Sequence, residues 1–197
     1  MSVYLVRHGE TEWTLSGQHT GLTDIPLTEY GQQQARSLAA GLADQDFALV
    51  LSSPQSRALD TCRLVGLGDR VQTTKDLMEW DYGAYDGLTT AEIREARPRW
   101  TIWLDGAPGG ETAANVGLRV DRVVEEVRDI EGDVVVFGHG HSLRVLTARW
   151  LGLAPTEGRL FALDPATVSE LGFERETPVI KRWNDPRRLA KVNHLDR

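Results

Sequence analysis

The sequence predicts an α/β fold, a three-layer α/β/α sandwich around a mostly parallel central sheet. Three short apolar runs carry the prediction: Val3 to Val6, Phe47 to Leu51 and Val134 to Phe137. Each is rich in β-branched or aromatic residues and lacks polar alternation, as strands buried on both faces do. Each is also followed by turn chemistry and a helical pattern. Strands alternating with helices build a parallel sheet covered on both sides.

In chain order, Thr28 is placed to cap a helix whose Ala35, Leu38, Ala39 and Leu42 share one face. Ser53 and Pro54 read as the N-cap and first residue of a helix running to about Val65. The stretch from about Asp76 to Gly110 is irregular and reads as an excursion over one end of the sheet. Its Trp80, Trp100 and Trp103 suit core or lid packing better than ligand platforms. Thr112 starts a helix that ends near Ile130, and Gly138 to Ser142 lead into another through about Leu151. Thr167 to Phe173 and Pro178 to Trp183 read as later strands. From about Asp185 to Arg197 the chain reads as a solvated, flexible tail, with four Lys/Arg against two Asp.

At 197 residues the chain suits one domain, 1–197. Its net charge of −7 repels a nucleic-acid backbone, so no nucleic-acid partner is expected. No apolar run approaches the length of a membrane span, so no membrane partner is expected either. The N-terminus lacks the basic leader and long apolar stretch of a signal peptide, and the lone Cys62 has no disulfide partner within the chain. Both features point to a reducing cytoplasm. A homodimer is left open.

The three apolar runs all end in chemistry-bearing residues. The first runs into Arg7-His8-Gly9-Glu10, the second into Ser52-Ser53 with Arg57 one turn on, the third into Gly138-His139-Gly140-His141. Ligands of open α/β sheets bind just outside the carboxyl ends of the strands. If the runs are neighbouring parallel strands, Arg7, His8, Arg57 and His139 meet in one pocket. Two arginines can fork onto phosphate oxygens, and helix-start amides add donors for the same anion. Like-charge repulsion from the arginines keeps His8 neutral and nucleophilic, and His139 is placed to stabilise the transferring phosphoryl group. The leaving oxygen needs a proton, and Glu79, Asp81 and Glu10 are all candidates to supply it; aromatic neighbours favour a protonated Glu79. Taken singly, His8 also reads as a histidine at a strand end, and His139 with His141 as metal ligands. Adjacent arginines oppose a dication, and no Cys cluster or paired Asp motif accompanies them. No metal or other cofactor is therefore expected. Gly138-His139-Gly140 opens like a dinucleotide fingerprint, but Leu143 stands where its third glycine belongs.

Arg7-His8-Gly9-Glu10-Thr11, Leu51-Ser52-Ser53-Pro54-Gln55-Ser56-Arg57-Ala58, Glu79 with Tyr82-Gly83, and His139-Gly140 with Arg144 occur in that order. Together they resemble the histidine phosphatase superfamily, which includes the cofactor-dependent phosphoglycerate mutases, over essentially the whole chain. The resemblance implies the phosphoglycerate mutase-like fold. It makes His8 the nucleophile and Glu79 the proton donor, with Arg7, Arg57 and His139 completing the phosphate pocket. Gly17 to Thr28, Glu79 to Gly87, Trp103 to Gly106 and His139 to Arg144 are most similar to the sedoheptulose-1,7-bisphosphatase and acid phosphatase branch. That likeness adds Thr20, Gly21, Tyr82, Gly140, His141 and Arg144 as substrate-binding positions, with Arg144 toward a second phosphate. Thr14 and Trp80-Asp81 depart from the mutase pattern. Near the distal phosphate the branch has a histidine, where this chain has Phe173-Glu174-Arg175. The implied activity is metal-independent hydrolysis of a small phosphorylated metabolite, a sugar phosphate or bisphosphate, through a phosphohistidine. The alternative is a cofactor-dependent phosphoglycerate mutase.

Overall fold

The computed structural model describes residues 1–43 and 45–186. The predicted tail therefore lies, from residue 187 onward, outside the described residues. The three apolar runs form β1 (Val3–Arg7), β2 (Phe47–Ser52) and β4 (Asp133–Gly138), joined by a short β3 (Val71–Thr73), β5 (Val168–Glu174) and β6 (Thr177–Asp185). The helices are α1 (Glu12–Ser16), α2 (Glu29–Leu42), α3 (Ser56–Val65), α4 (Thr90–Ala96), α5 (Ile102–Asp105), α6 (Ala113–Arg128) and α7 (Gly140–Trp150). All six strands belong to one sheet in the order β3-β2-β4-β1-β5-β6. The pairings from β3 to β1 are parallel, and β5 and β6 run antiparallel at one side.

Because side chains alternate across a strand, the sheet has two apolar faces. Val3, Leu5, Leu49, Leu51, Val134 and Val136 join a core with Val116, Val120 and Val123 of α6 and Leu143, Leu146 and Trp150 of α7. Val6, Val50, Val135 and Phe137 join a second core with Leu38 and Leu42 of α2 and Cys62 and Val65 of α3. The sandwich is thus three-layered. The region 76–110 lies against the first core through the buried Trp80, Tyr82 and Trp100, with Trp103 partly covered. Among the described residues, no helix is long and apolar enough to cross a membrane.

Thr28 and Thr112 cap α2 and α6 as their sequence positions indicate, each accepting from a first-turn backbone N–H, and a Thr cap is worth about 1 kcal/mol. Ser53 does not cap α3. That helix begins at Ser56 with Gln55 at the N-cap, and Gln55 makes no side-chain capping bond. Instead the Asp24 carboxylate accepts the Ser56 N–H at 2.9 Å, a cap supplied from 32 residues away that also suits the positive end of a helix. The last strand extends to Asp185, so that residue belongs to the sheet rather than to a tail.

Candidate active site

Parallel register brings the predicted residues together. Arg7 lies opposite Gly138, and Ser52 lies opposite Phe137. His8, Ser53 and His139 are therefore the first residues beyond three adjacent strand ends. Backbone bonds hold them there: His8 N–H to Gly138 O (3.1 Å), Ser53 N–H to Phe137 O (3.0 Å) and Ala166 N–H to His8 O (3.0 Å). The turn after His8 packs directly on α2. A Cβ on Gly9 would lie 2.4 Å from Gly31 O, and one on Gly31 would lie 2.1 Å from Glu10 O. Only two glycines permit that approach.

The two imidazoles have fixed tautomers. His8 Nδ1 lies 2.7 Å from Gly9 O, and a carbonyl only accepts, so Nδ1 carries the hydrogen and Nε2 keeps its lone pair. His139 Nδ1 accepts from Arg57 Nε at 3.1 Å, so its hydrogen sits on Nε2. That Nε2 is buried and has no hydrogen-bond partner among the described residues, and the same holds for Arg7 Nε. The rings meet edge to face with centroids 5.2 Å apart. Burial pushes the pKa of both well below the usual histidine value, and Arg57 pushes each further in the same direction. The site thus holds a neutral nitrogen lone pair on a residue of the cavity wall and two buried, uncommitted N–H donors.

The arginines divide differently from the sequence expectation. Arg7 lines the cavity and is braced by Leu163 O. Arg57 is fully buried, and its N–H groups reach His139 Nδ1, Thr23 O, Gly21 O and Thr20 O. It contributes its charge and holds its neighbours, with no free fork. Two of the amides at the start of α7 are also committed. His141 N–H donates to Glu79 Oε2 (3.0 Å), and Ser142 N–H and Trp80 N–H donate to Oε1 (both 2.9 Å). Glu79 is surrounded by backbone donors rather than by the apolar wall its sequence neighbours suggest. One lone pair on Oε2 remains open, and Glu79 lines the cavity.

The cavity is about 230 Å³. Thr20, Tyr82, Gly140, His141 and Arg144 line it beside Arg7, His8 and Glu79. Gly21 does not; its N–H is held by Asp86 and its carbonyl by Gln55 and Arg57. Tyr82 Oη and His141 Nδ1 share a 2.7 Å hydrogen bond, and His19 stacks on Tyr82 at 4.6 Å. Burial lowers the His19 pKa to about 4 and holds His141 well down, so this wall is uncharged imidazole and phenol. Arg144 lies over the Trp103 ring at 4.6 Å and donates to Gly158 O and Arg159 O. Trp13 and Leu163 also line the cavity, and neither carries a sequence signal for it. Glu174 and Arg175 lie at the opposite end of the sheet, because β5 runs antiparallel to β1 and ends beyond Val3. They have no access to a distal phosphate. Among the described residues, no group of three or more His, Cys, Asp or Glu is arranged to hold a metal ion.

Residues 3–186 match the model of the histidine phosphatase superfamily, branch 1. An acid phosphatase of Mycobacterium tuberculosis is 40% identical over 94% of this chain and 95% of its own length. The sedoheptulose 1,7-bisphosphatase of Saccharomyces cerevisiae is 40% identical over 76% of this chain and 67% of its own. The solved structure of a Mycobacterium tuberculosis open reading frame superposes with a TM-score of 0.88 at 39% identity, covering 93% of this chain and 97% of that one. Chains named as phosphoglycerate mutases match as well. The protein belongs to the histidine phosphatase superfamily and is a phosphatase of that type.

Proposed function

We propose that this phosphatase hydrolyses a small phosphorylated metabolite, a sugar phosphate or bisphosphate, through a phosphohistidine at His8 and without a metal ion. The observation that carries the reading is the pairing of tautomers: the Nε2 lone pair of His8, a residue of the cavity wall, together with the buried N–H donors of His139 Nε2 and Arg7 Nε, which have no partner among the described residues. In the first step Nε2 attacks phosphorus, the P–N bond forms and the ester P–O bond breaks. The leaving oxygen takes a proton from protonated Glu79, and His139 and Arg7 hold charge that develops on the phosphoryl oxygens. In the second step water attacks the phosphohistidine, Glu79 takes the water proton, and the P–N bond breaks. The buried, unreactive Cys62 thiol, its pKa pushed up to about 12, supports a cytoplasmic setting without requiring one.

Rapid quench with labelled substrate tests the intermediate. The expected adduct is acid-labile and base-stable, and is absent in His8→Ala; normal turnover by that variant would refute the reading. Dialysis against a strong chelator should leave turnover intact, and activity restored by zinc or magnesium would count against it. Phosphate release from 3-phosphoglycerate, against isomerisation of it with a bisphosphate primer, separates a phosphatase from a mutase.

A further inference from the structure

We infer that Arg119, which lies outside the cavity, is a positioning residue that sets the geometry of proton transfer from Glu79. The inference rests on Glu79 being the proton donor. Arg119 projects from α6 beneath the segment 76–81 and is nearly buried, at 11% side-chain exposure. Every N–H of its guanidinium is engaged. Nε donates to Glu111 Oε1 (2.8 Å), Nη1 to Asp76 O (2.8 Å) and Met78 O (2.7 Å), and Nη2 to Glu79 O (3.2 Å) and Glu111 Oε2 (3.0 Å). Glu111 completes the grip, its carboxylate accepting Asp81 N–H and its backbone carbonyl accepting Trp80 Nε1–H.

The segment that carries Glu79 is irregular and has no sheet or long helix to hold it. Its backbone carbonyls at 76, 78 and 79 all point to one cation instead. On the other side, Gln55 Oε1 accepts Glu79 N–H and Gln55 Nε2 donates to Gly21 O. Glu79 is therefore gripped at both of its backbone polar atoms by side chains, and at both carboxylate oxygens by amides. A flexible carboxylate close to the reacting ester is a poor acid, because proton transfer depends on reach of a few tenths of an ångström. Arg119 does not itself line the cavity; its hydrogen bonds reach the site through the Glu79 backbone, and its charge adds to the burial and the Arg57 and His8 fields that hold the His139 pKa down, a contribution that Arg119→Lys keeps. A lysine at that position has one nitrogen and three donors, and it cannot serve three carbonyls and a bidentate carboxylate at once.

The test is a comparison of alkyl and aryl phosphates, since only the alkyl leaving group needs a proton, combined with a double-mutant cycle. Arg119→Met should lower kcat for the alkyl ester about 10- to 100-fold while moving kcat and KM for the aryl ester by less than about threefold. Arg119→Lys should restore part of the alkyl rate. In Glu79→Gln, which by itself should lose about 10²- to 10⁴-fold on the alkyl ester, adding Arg119→Met should cost little more, because the group it positions is already gone. Equal losses on both esters, or losses that multiply in the double variant, would overturn the inference. A Glu79→Gln variant with no preference between esters would instead overturn the role of Glu79 itself. Should Arg119→Met fail to fold, Glu111→Gln weakens the same grip and is expected to show the same alkyl-selective loss.

Discussion

Arg57→Lys isolates what a buried arginine does besides carry charge. Lysine keeps the positive charge near His8 and His139 but loses the Nε–H that holds His139 Nδ1 at 3.1 Å. His139 is then free to move its hydrogen from Nε2 to Nδ1, which places a lone pair where the phosphoryl oxygens need a donor. A hydrogen bond to a charged group is worth about 1.5–3 kcal/mol, so the productive tautomer loses that much preference and kcat should fall about 10- to 150-fold. Complete loss of the donor in His139→Ala sets the outer limit, about 10²- to 10³-fold by analogy with other oxyanion donors. KM should change less than kcat, because the charge that attracts the anion is retained. The assay is steady-state turnover of an aryl phosphate, with the His139 tautomer read from nitrogen NMR of labelled protein. A variant with an unchanged tautomer and kcat within about threefold of the parent would refute the argument.

Three further outcomes follow from the same geometry. His8 and His139 have folded pKa values well below the usual 6.5, so the neutral nucleophile persists into acid and the acid limb of the kcat/KM profile should lie well below pH 6.5. With His19 and His141 also depressed, the unfolded chain binds these protons first, so stability should be full above about pH 6.5 and fall as pH drops, the His19 contribution ending near pH 4; denaturant melts at pH 7 and 5 that coincide would contradict this. Arg144→Ala should lower kcat/KM for a bisphosphate about 10- to 150-fold and spare a monophosphate, since Arg144 lines the cavity and has no carboxylate partner among the described residues; equal losses on both substrates would remove its selective role.

How much of this was legible in the sequence depended on range. The apolar runs are local, and their adjacency was predictable because parallel strands joined by helices leave few alternatives; this placed His8 and His139 side by side. Strand direction is not written in an apolar run. The reversal of β5 therefore has no local signal, and the resemblance alone, which sets Glu174 and Arg175 near a distal phosphate, does not reveal that they lie at the opposite end of the sheet. Ser53 reads as a cap from local sequence alone, because its competitor, Asp24, arrives from 32 residues away. Leu163, 156 residues from the Arg7 it braces, has no local signal at all. The commitment of the α7 amides to Glu79 was hidden for the same reason: nothing at position 79 announces a partner 62 residues later.

The charge arrangement supports the proposed transfer of a phosphoryl group to His8. Arg7 and Arg57 are buried; the one carboxylate of the cavity lining, Glu79, acts on both, Asp164 adds to its field at Arg7, and Asp24 and Asp86 add to it at Arg57, yet burial outweighs these fields at each. Asp24 approaches Arg57 at 3.7 Å but is half exposed, so water screens it. The histidines add no positive charge, because burial keeps them neutral. The cost of desolvating two cations has thus been met in folding, and a buried cation without full compensation favours any anion that fits. A phosphate ester would supply that compensation on binding, and in the proposed mechanism, once its phosphoryl group moves to Nε2, the negative oxygens remain among the same arginines and the same His139 donor. The covalent intermediate therefore keeps the stabilisation that the ester had, while the neutral alcohol formed by protonation loses its hold and leaves. In the proposed mechanism Glu79 makes that asymmetry possible, so the rigidity of its loop would bear on the chemistry as directly as the nucleophile does.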